Sequence, residues 1–566
     1  MNNAKRIAAV CFLVCVIIAA LLWAWNQEGG QPPEISVLEN ESEKEQEREM
    51  ADMEMAGREE LVFSADPGYF EKPFALEIEG RGTDADSEIR YTTDGSEPGK
   101  ESDLYAEPIS VTETVVIRAR MIRGDGSMGD VRTGVYFAGE RHSLPVVSIT
   151  AEPDDLWSPE AGILRPENGA KGGVRDDTRI AAHIQWYEPD GTLGYEAGAG
   201  VRVMGGESRE KPQKSLALYA KKQYGPKRFE YPFFPEAANH RYSSLVLRNG
   251  GQDFGQTHMR DAISGLLFQD TEVDAQYYRP VVVYINGEYY GICDLRDKIS
   301  DKFLEQRHGV KASKLDLLES SGTVKEGSGE AFDALMERVE RIRLGRSVDF
   351  SFAERDIDLD NFFDYMIGEL YIANEDWPDH NIRYWKPQKE DGKWRWIFYD
   401  GDMSFLNAEY PATAKVMSDK MSKYPSIRLF QVLMSQPALR EQFLRRFAFR
   451  LEGTFSAQRV LSAIEETKEA LAPEMPRHAQ RWGDSVDRWE AAVAEMETFV
   501  QRRPLLLMEE LRQVFGMTAE EWGQFGFAEM ERKLREGSQL IDEPVYYGRN
   551  DAEGRESNAR QTKAEA

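Results

Sequence analysis

Cysteine is scarce: Cys11, Cys15 and Cys293 are the only three in 566 residues. Two fall in an apolar N-terminal run and the third stands alone, so no disulfide framework holds the fold. The seven histidines are scattered and no His-Glu-x-x-His occurs, which excludes the usual zinc-peptidase helix and makes His380 a loop side chain. Gly-x4-Gly-Lys-Ser/Thr and Gly-x-Ser-x-Gly are missing too, which removes the P-loop and the hydrolase elbow. Positive charge is short: 70 Lys and Arg against 99 Asp and Glu leave −29. A phosphate backbone needs clustered cations, so nucleic acid is a poor partner and a basic protein or peptide a better one.

Long apolar runs are limited to Ile7–Trp25, preceded by Lys5 and Arg6. That length spans a bilayer, and the flanking charges put the rest of the chain on the extracytoplasmic side. No small-x-small cleavage site follows, which favours an uncleaved signal anchor over a removed signal peptide. Residues 26–60 are acidic and short of aromatics, as expected of an exposed tether. Residues 543–566 read as a polar tail. Over the whole chain, 41% hydrophobic content and 11 Trp permit a sizeable core.

From 61 to 140, short alternating runs separated by turn signals such as Asp94-Gly95 predict a small β-sandwich. Tyr91-Thr-Thr-Asp-Gly-Ser-Glu-Pro98, followed by Tyr105 and Pro108-Ile109, resembles the C-terminal domain of chitobiases and β-hexosaminidases. The resemblance implies an immunoglobulin-like accessory module, a spacer or docking surface with cell-wall carbohydrate as a candidate ligand.

Residues 141–542 read as one α+β unit, strand-rich to about 297 and helix-rich after it, apart from one hairpin. Its centre is Asn374–Asp402. Asn361–Ala373 has apolar residues at helical spacing with Asp358 or Asp360 placed as cap, and Pro378 makes Asp376–Asn381 a loop. Ile382–Trp385 and Trp394–Tyr399 then form a hairpin around Asp391-Gly392. Strands about 4.8 Å apart bring Asn381 beside Asp400 or Asp402, and a one-residue slip exchanges the two. Two carboxylates and a carboxamide suit a hard cation such as Mg²⁺. Asp-x4-Asn with a later Asp is also the spacing of protein-kinase catalytic loops, with Asp376 as the proton acceptor.

Upstream, Gly205-Gly206 leads to Lys214 at the head of a strand. This could be an anion-binding turn with a phosphate-reaching lysine, but on the residues alone a plain β-turn with a solvated lysine is the better reading. Asn286-Gly287 predicts a tight hairpin turn, and Cys293 reads as a packed strand residue.

The ordered set Gly205-Gly-Glu-Ser-Arg209, Pro212-Gln-Lys-Ser215, Leu247-Arg-Asn-Gly-Gly251, Met259-Arg-Asp261, Tyr284–Gly291, Asp294-Leu-Arg-Asp297, Asn374-Glu-Asp-Trp377, Asn381 and Tyr399-Asp-Gly-Asp402 resembles the CotH family. These are atypical protein kinases named for a bacterial spore-coat protein. The resemblance implies a two-lobed kinase-like domain that uses ATP and Mg²⁺, or Mn²⁺ in its place. The substrate would be Ser/Thr of a surface or spore-coat protein rich in Ser/Thr and Lys/Arg. It implies Asp376 as catalytic residue, Asn381, Asp400 and Asp402 at the metal, and Lys214, Ser208, Arg209 and Asp297 at the nucleotide. Asp297 stands where the family often has Glu, and Met403–Leu406 lacks a glycine common there. The competing reading is a membrane-anchored surface adhesion protein on an inactive kinase-like scaffold.

Overall fold

The computed structural model describes residues 60–538 apart from 83–85, 140, 167 and 169–175. The expected anchor at Ile7–Trp25, the acidic segment to residue 59 and the tail from 543 lie outside the described residues. Among the described residues, no helix is long and apolar enough to cross a membrane.

The N-terminal domain is β-rich, as its turn-punctuated alternation predicts. Gly68–Phe70, Met128–Ala138, Val115–Ile122, Glu88–Thr92 and Asp103–Leu104 form one sheet in that order, and Phe74–Leu76 pairs with Ile109–Val111. Leu76, Val111, Ile117 and Tyr136 are buried in its core. The Asp94-Gly95 turn is not a free surface. The Asp94 carbonyl accepts from Asn286 Nδ2 at 2.9 Å, and Glu97 N–H donates to Glu152 Oε1 at 2.6 Å. A Cβ on Gly95 would lie 2.3 Å from the Asn286 side chain. Phe137 packs edge-on against Tyr187 with centroids 5.1 Å apart, so the domain shares a core with the strands that follow it.

Those strands are β1 (Val146–Thr150), β2 (Ile180–Tyr187), β3 (Leu193–Met204), β4 (Ser215–Tyr219), β5 (Ser244–Arg248), β6 (Arg279–Ile285) and β7 (Glu288–Asp297). They close into a barrel in the order β1-β2-β3-β4-β5-β7-β6, the final seam running parallel with Val146 opposite Val282. The period of two buries Val147, Ile149, Val201, Leu218, Leu247 and Cys293 in one cluster. The last barrel strand ends at Asp297, and closure depends on a seam between segments distant in sequence.

Asn286 and Gly287 make the β6–β7 turn with φ +49° and +82°, the left-handed pair such a turn requires. Asn286 also holds Ala151 N–H and O at 2.9 and 2.8 Å. Asn286→Gly keeps the turn but removes these bonds and the one to Asp94. The expected result is a loss of about 1–3 kcal/mol in urea unfolding and faster proteolysis at the Asp94 turn.

The chain then becomes mainly helical. Helix α1 (Arg260–Gln269) lies between β5 and β6 in sequence, and α2 (Leu359–Ile372) has every residue buried except Asp360. A helix buried on nearly every side belongs at the centre of its layer. Asp358 caps it, accepting from Asn361 N–H at 3.2 Å, and Ala373 ends it in the left-handed conformation with φ +51°. Helices α3 (Pro437–Glu452) and α4 (Met475–Trp482) belong to the run of helices from Pro425 to Ser538.

The expectation of one hairpin in an otherwise helical part is corrected. β8 (Leu315–Glu319), β9 (Thr323–Glu326), β10 (Arg383–Pro387) and β11 (Arg395–Ile397) form one sheet in the order β9-β8-β10-β11. Leu-Asp-Leu-Leu-Glu neither alternates nor is β-branched, so β8 is a strand because it pairs with β10, Leu317 opposite Trp385.

Candidate active site

The loop after α2 is built from inside outward. Asn374 is buried; its Nδ2 donates to Glu369 Oε2 at 3.2 Å and its Oδ1 accepts from Asp376 N–H at 3.3 Å. Burial pushes the Glu369 carboxyl up to about 8. Trp377 Nε1 donates to Tyr365 OH at 2.9 Å, and Glu375 N–H to Met403 O at 3.2 Å. These bonds leave Asp376 half-buried on a cleft of about 490 Å³. Burial raises its carboxyl above the ordinary range, and Asp400 and Glu207 add to the effect against His380. Asn381, left-handed at φ +61°, donates Nδ2 to Asp376 Oδ2 at 3.5 Å.

The β10–β11 register sets Arg383 opposite Ile397, and both Asp400 and Asp402 follow it into the cleft. They differ in exposure. Asp400 is half-exposed, whereas Asp402 is buried and accepts from Gln252 N–H at 2.8 Å. Burial raises the Asp402 carboxyl to about 7, with Arg248 opposing and Asp400 assisting. Arg248, the last residue of β5, is the cation between them: it ion-pairs with Asp400, lies 2.7 Å from Asp402 Oδ2, and its Nε is 3.4 Å from Asp261 Oδ2.

Asp261 sits in the first turn of α1 and also meets Arg296 at 2.9 Å. Burial opposes its ionisation, but the two guanidiniums hold its carboxyl below the usual value. Its Oδ1 accepts Gly401 N–H at 2.7 Å, so the loop without the expected glycine is fastened by an acid beneath it. Gly251 lets this cluster close, since a Cβ there would lie 1.9 Å from Asp402 Oδ2.

Opposite stand Gly205, Gly206 and Ser208 from the turn after β3, with Lys298 and Arg383. Burial, with Arg383 and Arg202 nearby, lowers the Lys298 ammonium to about 8. Met204, Val246 and Ile299 supply an apolar patch.

Ser208, Asp376, Asn381, Asp400 and Asp402 are therefore brought together, and three expected nucleotide residues are not. The Lys214 ammonium turns back onto the Arg209 carbonyl and lines a different cavity with Tyr290 and Trp482. Arg209 is buried and braces its own loop, donating to Gly205 O at 3.0 Å, Val203 O at 2.9 Å and Asp177 Oδ1 at 2.5 Å. Asp297 is spent on Tyr277 N–H at 2.7 Å and Arg307 at 2.9 Å. The residues missed are Arg248, Asp261 and Lys298. The first two stand inside the Leu247–Gly251 and Met259–Asp261 runs, a cation ending a strand and an acid starting a helix.

Among the described residues, no three His, Cys, Asp or Glu are grouped to hold a metal unaided. Two carboxylates and a carboxamide are oxygen donors of the kind a hard cation takes, and such a cation would have to share the two aspartates with the Arg248 guanidinium that pairs with both.

A family model described as CotH kinase protein matches residues 201–507, a span that contains all the cleft residues named above. One described as chitobiase/beta-hexosaminidase C-terminal domain matches residues 66–133. No curated protein matches the chain.

Proposed function

The chain belongs to the CotH kinase protein family, and we propose that it is an active ATP- and Mg²⁺-dependent protein kinase that phosphorylates Ser/Thr of a basic, Ser/Thr-rich surface or spore-coat protein. The observation that carries this reading is the Arg248 cluster. A strand cation paired to a helix carboxylate and set beside a metal-binding Asp is the arrangement on which protein-kinase catalysis depends. Asp376 and Asn381 complete it across the cleft.

Asn381 and Asp400 would hold the metal with Asp402 behind them, and the metal, when bound, would neutralise the β- and γ-phosphates. Arg248, Lys298 and the Gly205–Ser208 turn orient the phosphates, and Met204, Val246 and Ile299 receive the base. Asp376 orients the acceptor hydroxyl and takes its proton; the raised carboxyl is a better base than a solvated aspartate. Catalysis is then mostly positioning and charge stabilisation.

The test is Mg²⁺-dependent transfer of γ-phosphate from ATP onto a Ser-rich basic protein, read by phosphosite mass spectrometry. Asp261→Asn keeps an acceptor for Gly401 N–H but removes the charge opposite Arg248. The charge is lost opposite Arg296 as well, and at about 1.5–3 kcal/mol for each charge-assisted contact kcat/KM falls by at least about 10-fold. A second check is pH. Lys298 is charged below about 8 and neutral above it. Affinity for ATP therefore weakens as pH rises through 8, and Lys298→Met flattens the profile.

A further inference from the structure

The cavity that captures Lys214 is separate from the catalytic cleft. It measures about 130 Å³, and its lining includes Trp157, Lys214, Glu288, Tyr290, Arg481 and Trp482. Three features give it the character of a built site. First, Lys214 is 5% exposed as a residue, and the hydrogen-bond partner of its ammonium is a neutral carbonyl, that of Arg209. Glu210 attracts it from outside ion-pair distance, and burial dominates, lowering its affinity for the proton. A buried ammonium without a counter-ion is costly, and an anion entering the cavity offsets that cost.

Second, the walls are fixed in advance. Tyr290 OH accepts from Lys214 N–H at 2.6 Å and donates to Lys214 O at 2.9 Å. Trp482 Nε1, at the end of α4, donates to Tyr290 O at 3.0 Å, and the two rings meet edge to face at 5.6 Å. Third, a second cation stands at the mouth. Arg481 donates Nε to Tyr289 O at 3.1 Å, and its guanidinium lies 5.0 Å from the Trp482 ring, leaving its outer nitrogens to meet a ligand. Glu288 is on the exposed rim, where it disfavours a second negative charge and suits a hydroxyl or ammonium.

We propose that this cavity binds a small organic acid, one carboxylate carried on a ring, with the carboxylate between Lys214 and Arg481 and the ring against Tyr290 and Trp482. Aromatic acids and sugar acids share that chemistry, since both present a face to an aromatic wall.

The test is calorimetric titration of the full-length protein with sodium benzoate and, separately, sodium glucuronate. Saturable one-site binding of either supports the site, benzoate alone marking an aromatic acid and glucuronate alone a sugar acid. Lys214→Met weakens that binding at least tenfold. Arg481→Gln, a surface change that leaves the fold intact, weakens it as well, whereas Asp376→Ala leaves it unchanged whether or not the cleft transfers phosphate. Failure of both probes to saturate overturns the proposal, as does equal affinity in wild type, Lys214→Met and Arg481→Gln.

Discussion

Asp376→Ala lowers phosphotransfer by about 10²- to 10⁴-fold, the range for removing a positioned general base, and leaves affinity for Mg²⁺–ATP unchanged. The separation follows from where Asp376 stands. Its carboxylate meets Asn381 through one long bond of 3.5 Å and has no contact with the Arg248 cluster, so its removal costs Asn381 that bond but leaves Asp400, Asp402 and the phosphate cations as they are. The loop keeps its shape because Asn374, Trp377 and Glu375 hold it, not the Asp376 side chain. Unfolding stability therefore stays within about 0.5 kcal/mol of wild type. Single-turnover transfer and ATP titration on the same preparation separate the two effects. Parallel loss of both would mean that Asp376 binds rather than reacts.

Asp364→Ala has the largest effect on stability. Asp364 is fully buried in α2 and is held by two residues of α3. Arg446 reaches its oxygens at 2.7 Å through Nε and through a terminal nitrogen, and Arg450 does so at 2.8 and 2.6 Å. Glu272 N–H adds a fifth bond at 3.1 Å. Removing the acid leaves two guanidiniums facing each other around a void, a loss of about 3–5 kcal/mol. Burial would raise this carboxyl, but the arginines outweigh it and hold it below its ordinary value. Its contribution is therefore complete above about 3.9 and lost as pH falls through the lower folded value. The urea midpoint of Asp364→Ala should drop sharply at pH 7, and the gap to wild type should narrow in acid. A change under about 1 kcal/mol would show that α2 is anchored mainly by its apolar neighbours.

The Asp376 loop was legible in the sequence because its determinants are local. Asp358 caps a helix, Pro378 forbids its continuation, and Asp391-Gly392 turns a hairpin, so Asp376 and Asn381 could be set beside Asp400 or Asp402 from their spacing. Asp400 and Asp402 could not be told apart, because their difference lies in Gln252 and Arg248, residues of a remote segment. Arg248 and Asp261 escaped for the same reason. Each looks like an ordinary end-of-element residue until barrel closure and α1 bring both beneath Gly401. Lys214 misled because a lysine after a glycine turn resembles a phosphate ligand. Its ammonium rests on the Arg209 carbonyl, and its backbone is held by Tyr290 OH from a strand distant in sequence, which no local pattern encodes. The N-terminal domain was legible in type but not in placement, since its characteristic turn is used to grip Asn286.

The central claim is that the cleft between the Arg248 cluster and the Asp376 loop is a metal–nucleotide site. Calorimetric titration with ATP, with and without Mg²⁺, tests it most directly. The predicted result is saturable one-to-one binding that requires Mg²⁺ and is lost in Asp400→Ala but retained in Lys214→Met. Absence of binding, or ATP binding that is independent of Mg²⁺ and of Asp400, would contradict it.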